Sequence, residues 1–150
     1  MTRASFRRSR IAIFVAVTAC TRDAGTAARL EDALARTFAN LVHTQQSLFG
    51  TASIEASALR AAASCHLASD GAALGGGWLC TVTWFVPGHH EPIRDLYEVS
   101  LTPDGCYTAT ADGAEAHVGG PTAKSRGGDR IVNILYTFDG CFDPTRPVAP

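Results

Sequence analysis

The sequence predicts an α+β domain: one N-terminal amphipathic helix packed on an antiparallel sheet of about five strands, with two disulfides. Three observations carry that prediction. Between residues 28 and 49 apolar side chains recur at steps of three and four. Further along, short segments instead alternate apolar and polar residues and are separated by turn-forming Gly, Pro and Asp. Four cysteines are distributed among those short segments, an even number that suits pairing.

In the helix, Leu30, Leu34, Phe38, Leu41, Val42, Leu48 and Phe49 form the apolar stripe. Glu31, Asp32, Arg36, Asn40 and Gln46 take the other side. The acids fall early, where the helix dipole favours them, and Gly50 offers a stop. A stripe of this width is expected to face the core rather than a partner. Residues 51–57 carry no clear pattern. Leu59, Ala61, Ala63, Cys65 and Leu67 then alternate with Arg60, Ala62, Ser64 and His66, which predicts a strand, although the alanines leave a second helix open.

Residues 68–77 read as a Gly-rich loop. Trp78 to Val86 is the strongest strand, with Trp78, Cys80, Val82, Trp84 and Val86 on one face. Pro87 to Pro92 is a polar loop. Leu96 to Thr102 alternates through Tyr97, Val99 and Leu101, and Cys106 to Ala111 returns as its partner. Between them Pro103-Asp104-Gly105 supplies a fixed φ, local hydrogen bonding and a positive-φ position, the requirements of a turn. Residues 112–130 are polar and Gly-rich and predict a long surface loop. Ile131 to Phe138 predicts a last strand, Asp139-Gly140 a turn, and residues 144–150 a flexible tail. No internal repeat is visible.

The first residues have a different logic. Arg3, Arg7, Arg8 and Arg10 precede the apolar run Ile11 to Val17, with no acid among residues 1–19. A basic segment, a short apolar segment and then small residues predict an export signal over residues 1–19. The apolar run is far shorter than a membrane-spanning helix requires. Arg7-Arg8 also admits twin-arginine export, although Ser9-Arg10-Ile11 fits that poorly.

Val17-Thr18-Ala19-Cys20 resembles the lipobox of bacterial lipoprotein precursors. The resemblance implies that the Cys20 sulfur carries a diacylglyceryl group, that a peptidase cuts before it, and that residues 20–27 are a lipidated tether to a single globular domain at 28–143. Ordinary secretion with cleavage near Ala19 is the alternative. Each buried methylene of an acyl chain contributes about 0.8 kcal/mol, so two chains anchor stably where one is marginal. Losing residues 1–19 removes four of the 13 basic residues and none of the 14 acidic ones, taking the net charge from −1 to −5. That balance disfavours nucleic acid and anionic headgroups as partners. The expected partners are the membrane, through the lipid, and a protein or other component of the cell envelope.

With Cys20 set aside, Cys65, Cys80, Cys106 and Cys141 remain, and an exported chain favours two disulfides. Of three connectivities, Cys65–Cys80 and Cys106–Cys141 are favoured, because each cysteine then lies near its partner along the chain. A hairpin pairing 67 with 78 also sets Cys65 opposite Cys80. No C-x-x-C spacing indicates a redox pair or a zinc knuckle.

Trp78 to Trp84, Pro103 to Ala109 and Phe138 to Asp143 together resemble a group of small actinobacterial lipoproteins of uncharacterised function. The resemblance implies a surface-anchored, disulfide-bearing module. It brings no activity and no catalytic residues.

Motifs for chemistry are sparse. His89-His90-Glu91 lies in a loop without a third ligand at a recognised spacing, so no metal or cofactor is expected. G-x-S-x-G does not occur. His43 and His66 read as rim residues, and His117 falls in the long polar loop. Phe85 points away from the apolar face of its strand and, with Tyr107, His89 and His90, forms a candidate recognition patch. The expectation is therefore a lipid-anchored binding module outside the cytoplasm, with no nominated catalytic residue. A secreted cell-wall hydrolase and an inhibitor of extracellular enzymes are the alternatives. A cleft of convergent His and carboxylate groups would mark the hydrolase, and a rigid protruding 112–130 loop the inhibitor.

Overall fold

A computed structural model describes residues 18–68, 74–112 and 117–147, with side chains from residue 24 onward. The part of the expected export signal up to residue 17, the Cys20 side chain and residues 148–150 of the expected tail lie outside the described residues. One helix, α1 (Thr18–Phe49), packs on a five-stranded antiparallel sheet. The strands are β1 (Ala62–Leu67), β2 (Gly77–Trp84), β3 (Ile93–Leu101), β4 (Cys106–Ala111) and β7 (Thr137–Cys141), in that spatial order. A separate two-stranded ribbon, β5 (Thr122–Lys124) and β6 (Arg130–Val132), lies between β4 and β7 in the chain. Among the described residues no helix is long and apolar enough to cross a membrane.

The inner face of the sheet follows from alternation. Trp78, Cys80, Val82 and Trp84 pair across to Val99, Tyr97, Asp95 and Ile93, and Val99 and Leu101 pair to Ala109 and Tyr107. Apart from half-buried Ile93, these side chains are buried, and α1 lays Leu30, Leu34, Phe38 and Val42 over the sheet. Phe38 meets Trp84 in a tilted pair at 5.6 Å and Tyr97 edge-on at 6.2 Å, and Tyr97 meets Phe138 edge-on at 5.4 Å. The stripe ends earlier than its periodicity predicts. Gln45 takes the next buried position, and Leu48 is 52 % exposed.

The C-terminus of α1 is as expected. Gly50, at φ +65°, donates to Ser47 O, and Thr51 N–H donates to Gln46 O. These two bonds form a Schellman cap, which needs a left-handed residue at Gly50. At its start the helix differs from the expected tether: residues 20–27 are helical, and Thr26 is buried.

Both disulfides have the favoured connectivity, Cys65–Cys80 and Cys106–Cys141. Each joins residues directly opposite one another in the register, with Cα atoms 4.1 and 4.0 Å apart. That spacing belongs to non-hydrogen-bonded pairs, where the side chains approach most closely. β1 and β7 are the two edges of the sheet, so each disulfide fastens one edge strand to its neighbour. The first lies on the inner face beside buried Val82. The second lies on the outer face, opposite in parity to buried Tyr107. Glu31 adds a polar clamp at the β1 edge, accepting the Cys65 backbone N–H at 2.8 Å.

Three expectations for the last third change. The 112–130 segment contains half of a ribbon rather than an unbroken loop. Ile131 to Phe138 is not one strand, because Asn133 turns the chain. Its side-chain amide donates to Val118 O and Gly120 O, its Oδ1 accepts Leu135 N–H, and Tyr136 N–H bonds Asn133 O. Asp139-Gly140 is strand, not turn. Gly140 faces Tyr107 across the ladder, and a Cβ there would lie 2.3 Å from the Tyr107 hydroxyl, so the ring occupies the space a side chain would need. Of the predicted tail, residues 144–146 instead form a turn, anchored to α1 by Arg29 Nε donating to Arg146 O at 2.7 Å.

Candidate functional site

The candidate recognition patch is not assembled. Tyr107 sits on the inner face and is 3 % exposed, its hydroxyl donating to Thr37 Oγ1 at 3.0 Å. Register explains the correction: Tyr107 pairs with Leu101 and Gly140, both inward positions. Burial raises its pKa, and the bond to Thr37 partly offsets that. Phe85 is half-buried, and the Arg60 guanidinium lies over its ring at 3.9 Å. Its backbone N–H bonds Leu59 O. A face already covered by a cation is a structural contact more than a free one. His89 and His90 are exposed in the loop after β2. His66 is exposed on β1, and His43 Nδ1 lies 2.9 Å from Ile54 O. Cys20 falls in the first turns of α1.

A different constellation is present. At the start of β3 lies a cleft of about 620 Å³, with His89, Glu91, Arg94 and His117 in its wall beside apolar Val86 and Ile93. Its size is within the range of small-ligand pockets. Behind it Asp95 is 1 % exposed on the inner face of β3. The Trp84 indole N–H donates to Asp95 Oδ2 at 2.7 Å. Asp95 Oδ1 has no hydrogen-bond partner, and His117 Nδ1 stands 3.3 Å from it, an ion-pair distance without the alignment of a hydrogen bond. The carboxylate is wholly shielded, while the imidazole is 44 % exposed.

Burial pushes the Asp95 carboxyl above its usual range, and the Trp84 bond and His117 pull against that without overcoming it. Tyr97, on the same face, is also raised, first by burial and then by the Asp95 charge. The arrangement is thus a rigid, desolvated acid supporting a ring that reaches solvent.

Sequence reading singled out His117 only as one of five histidines, and missed Asp95. The signal was present: Ile93, Asp95, Tyr97, Val99 and Leu101 share one parity, and an acid among four apolar residues marks a costly position. Its partner His117 is 22 residues away along the chain, and only folding of the segment after β4 brings them together.

A second groove, of about 600 Å³, runs between α1 and the turn after β7. Arg29, Arg36 and Arg146 line it, with Asp32 and Asp143 as counter-charges. Arg36 already pairs with Asp32 at 2.5 Å. The Asp143 carboxyl is held below its usual range by hydrogen bonds from Thr145. Within the expected 112–130 surface loop, Arg126, between β5 and β6, lies against Gly50 at the end of α1. No group of three or more metal-ligating side chains occurs among the described residues. The chain matches no protein-family model, and no curated protein or solved structure matches it.

Proposed function

We propose that this chain is an exported binding module, held at the extracytoplasmic face of the cell membrane by a lipid on Cys20. One observation carries the reading: how the cysteines divide. All four cysteines after Cys20 are consumed in two disulfides that fasten the sheet edges, which leaves Cys20 as the odd one, behind the arginine-led apolar run. Disulfides of this structural kind persist outside the reducing cytosol. Membership of the actinobacterial lipoprotein group belongs to the same proposal. The ligand is a cell-envelope component, and the cleft of about 620 Å³ beside His117 is the surface we assign to it. Secretion without a lipid is the competing form of the proposal.

Metabolic labelling with an alkyne-tagged fatty acid tests the anchor. The wild-type chain takes up label and partitions with membranes, and Cys20→Ala does neither. Equal labelling of the two overturns the anchor. Four reactive thiols in the denatured, unreduced protein overturn the exported disulfide scaffold.

A further inference from the structure

We propose that His117, positioned by Asp95, is a general base that hydrolyses a small carboxylic ester bound in the cleft at the start of β3. Three independent features lead there. Asp95 occupies an inward position of β3 where the alternation otherwise places apolar groups, and Trp84 fixes one of its oxygens while the other faces His117. A buried carboxylate held at a cost to stability is a recurrent property of functional sites.

The imidazole turns Nδ1 to Asp95. Its Nε2 has no hydrogen bond or ion pair among the described residues, and the half-exposed ring forms part of the cleft wall. The facing carboxylate favours the proton on Nδ1, which leaves the lone pair on Nε2, the tautomer a general base requires. The cleft then supplies the remaining elements. Val86 and Ile93 offer apolar surface to an acyl chain, and Arg94 offers a cation for a developing oxyanion.

The nucleophile is water. The four cysteines of the sheet are oxidised and cannot attack. Nε2 takes a proton from water as the water oxygen bonds the ester carbonyl carbon. The carbonyl electron pair moves to oxygen, giving a tetrahedral anion. Its collapse breaks the bond from carbon to the alkoxy oxygen, and the proton on Nε2 passes to that leaving oxygen. A carboxylic acid and an alcohol result, and no further reactant is consumed. The activity is independent of the Cys20 anchor, so a chain that fails lipid labelling can still show it.

Turnover of p-nitrophenyl acetate and p-nitrophenyl butyrate by the full chain tests this, against imidazole at equal concentration. His117→Gln is expected to lower kcat/KM by about 10²-fold or more. Asp95→Asn is expected to lower kcat by about tenfold or more at similar KM, through loss of the ring's orientation, and to change the pH profile. Other titratable groups face the same cleft, namely His89, Glu91 and Arg94, with Tyr97 beside Asp95 on the inner face, so the profile is compared between variants and not read alone. His66→Gln, on exposed β1, leaves the rate unchanged. Melting curves of each variant separate lost activity from lost folding. Wild-type turnover equal to that of His117→Gln, or no faster than imidazole, overturns the proposal. An Asp95→Asn variant with unaltered kcat and pH profile overturns the positioning role.

Discussion

Removing the edge disulfides is expected to take most of this domain's stability with them. The loops they close span 15 and 35 residues and do not overlap. In the chain-entropy model a 15-residue loop contributes about 3 kcal/mol and a 35-residue loop about 4 kcal/mol at 25 °C, so together they contribute about 7 kcal/mol. Cys80 is also fully buried, and its loss removes packing beneath α1 in addition. Domains of this size have net stabilities of about 5–15 kcal/mol, so the reduced chain is expected to stand near its unfolding midpoint without denaturant. Urea titrations followed by tryptophan fluorescence suit the measurement, since Trp78 and Trp84 are both buried. The comparison is the oxidised wild type, Cys65→Ala/Cys80→Ala, Cys106→Ala/Cys141→Ala and the quadruple variant. Each pair is expected to cost about 3–4 kcal/mol, with the two costs adding. A quadruple variant with a wild-type midpoint would refute the reasoning: the edges would then be held by hydrogen bonding and packing alone.

Two further outcomes follow from the core. The Asp95 carboxyl is raised in the folded state, so the native protein keeps its proton to higher pH than the unfolded chain does. Stability is therefore lost as pH rises from the usual carboxylate range through the folded value, and Asp95→Asn, which keeps an acceptor for Trp84, is expected to melt higher than wild type at pH 7 and to converge with it at pH 3. A wild type that melts higher at pH 7 contradicts this. Gly140→Ala drives a methyl group into the Tyr107 ring and is expected to cost about 1–3 kcal/mol by overpacking, with loss of the Thr37 bond visible in the tyrosine hydroxyl signal. An unchanged denaturation midpoint for Gly140→Ala would show that the ring moves aside freely.

The elements that short-range chemistry specifies were legible in the chain itself. Leu30, Leu34, Phe38 and Val42 recur at helical spacing and are buried, and Gly50 supplies the left-handed residue that ends α1. β2 and β4 alternate cleanly, and the 67–78 register sets Cys65 opposite Cys80. β3 starts at Ile93, three residues before the strand expected from Leu96. The last third was hardest. Asn133 looks like an ordinary residue inside an apolar run, yet its three side-chain hydrogen bonds reach residues 118, 120 and 135 and divide that run between two sheets.

By itself the sequence determined the fold class and the helix, favoured the disulfide pairs that the structure contains and raised the expectation of export, since each rests on periodicity, composition or spacing along the chain. Tertiary structure alone decided that Tyr107 is core and that Phe85 is covered by Arg60. It alone placed a buried carboxylate behind the exposed imidazole 22 residues away. Local pattern records which face a residue prefers, whereas the Asp95–His117 contact joins residues 22 positions apart, and no periodicity in the sequence encodes that pairing.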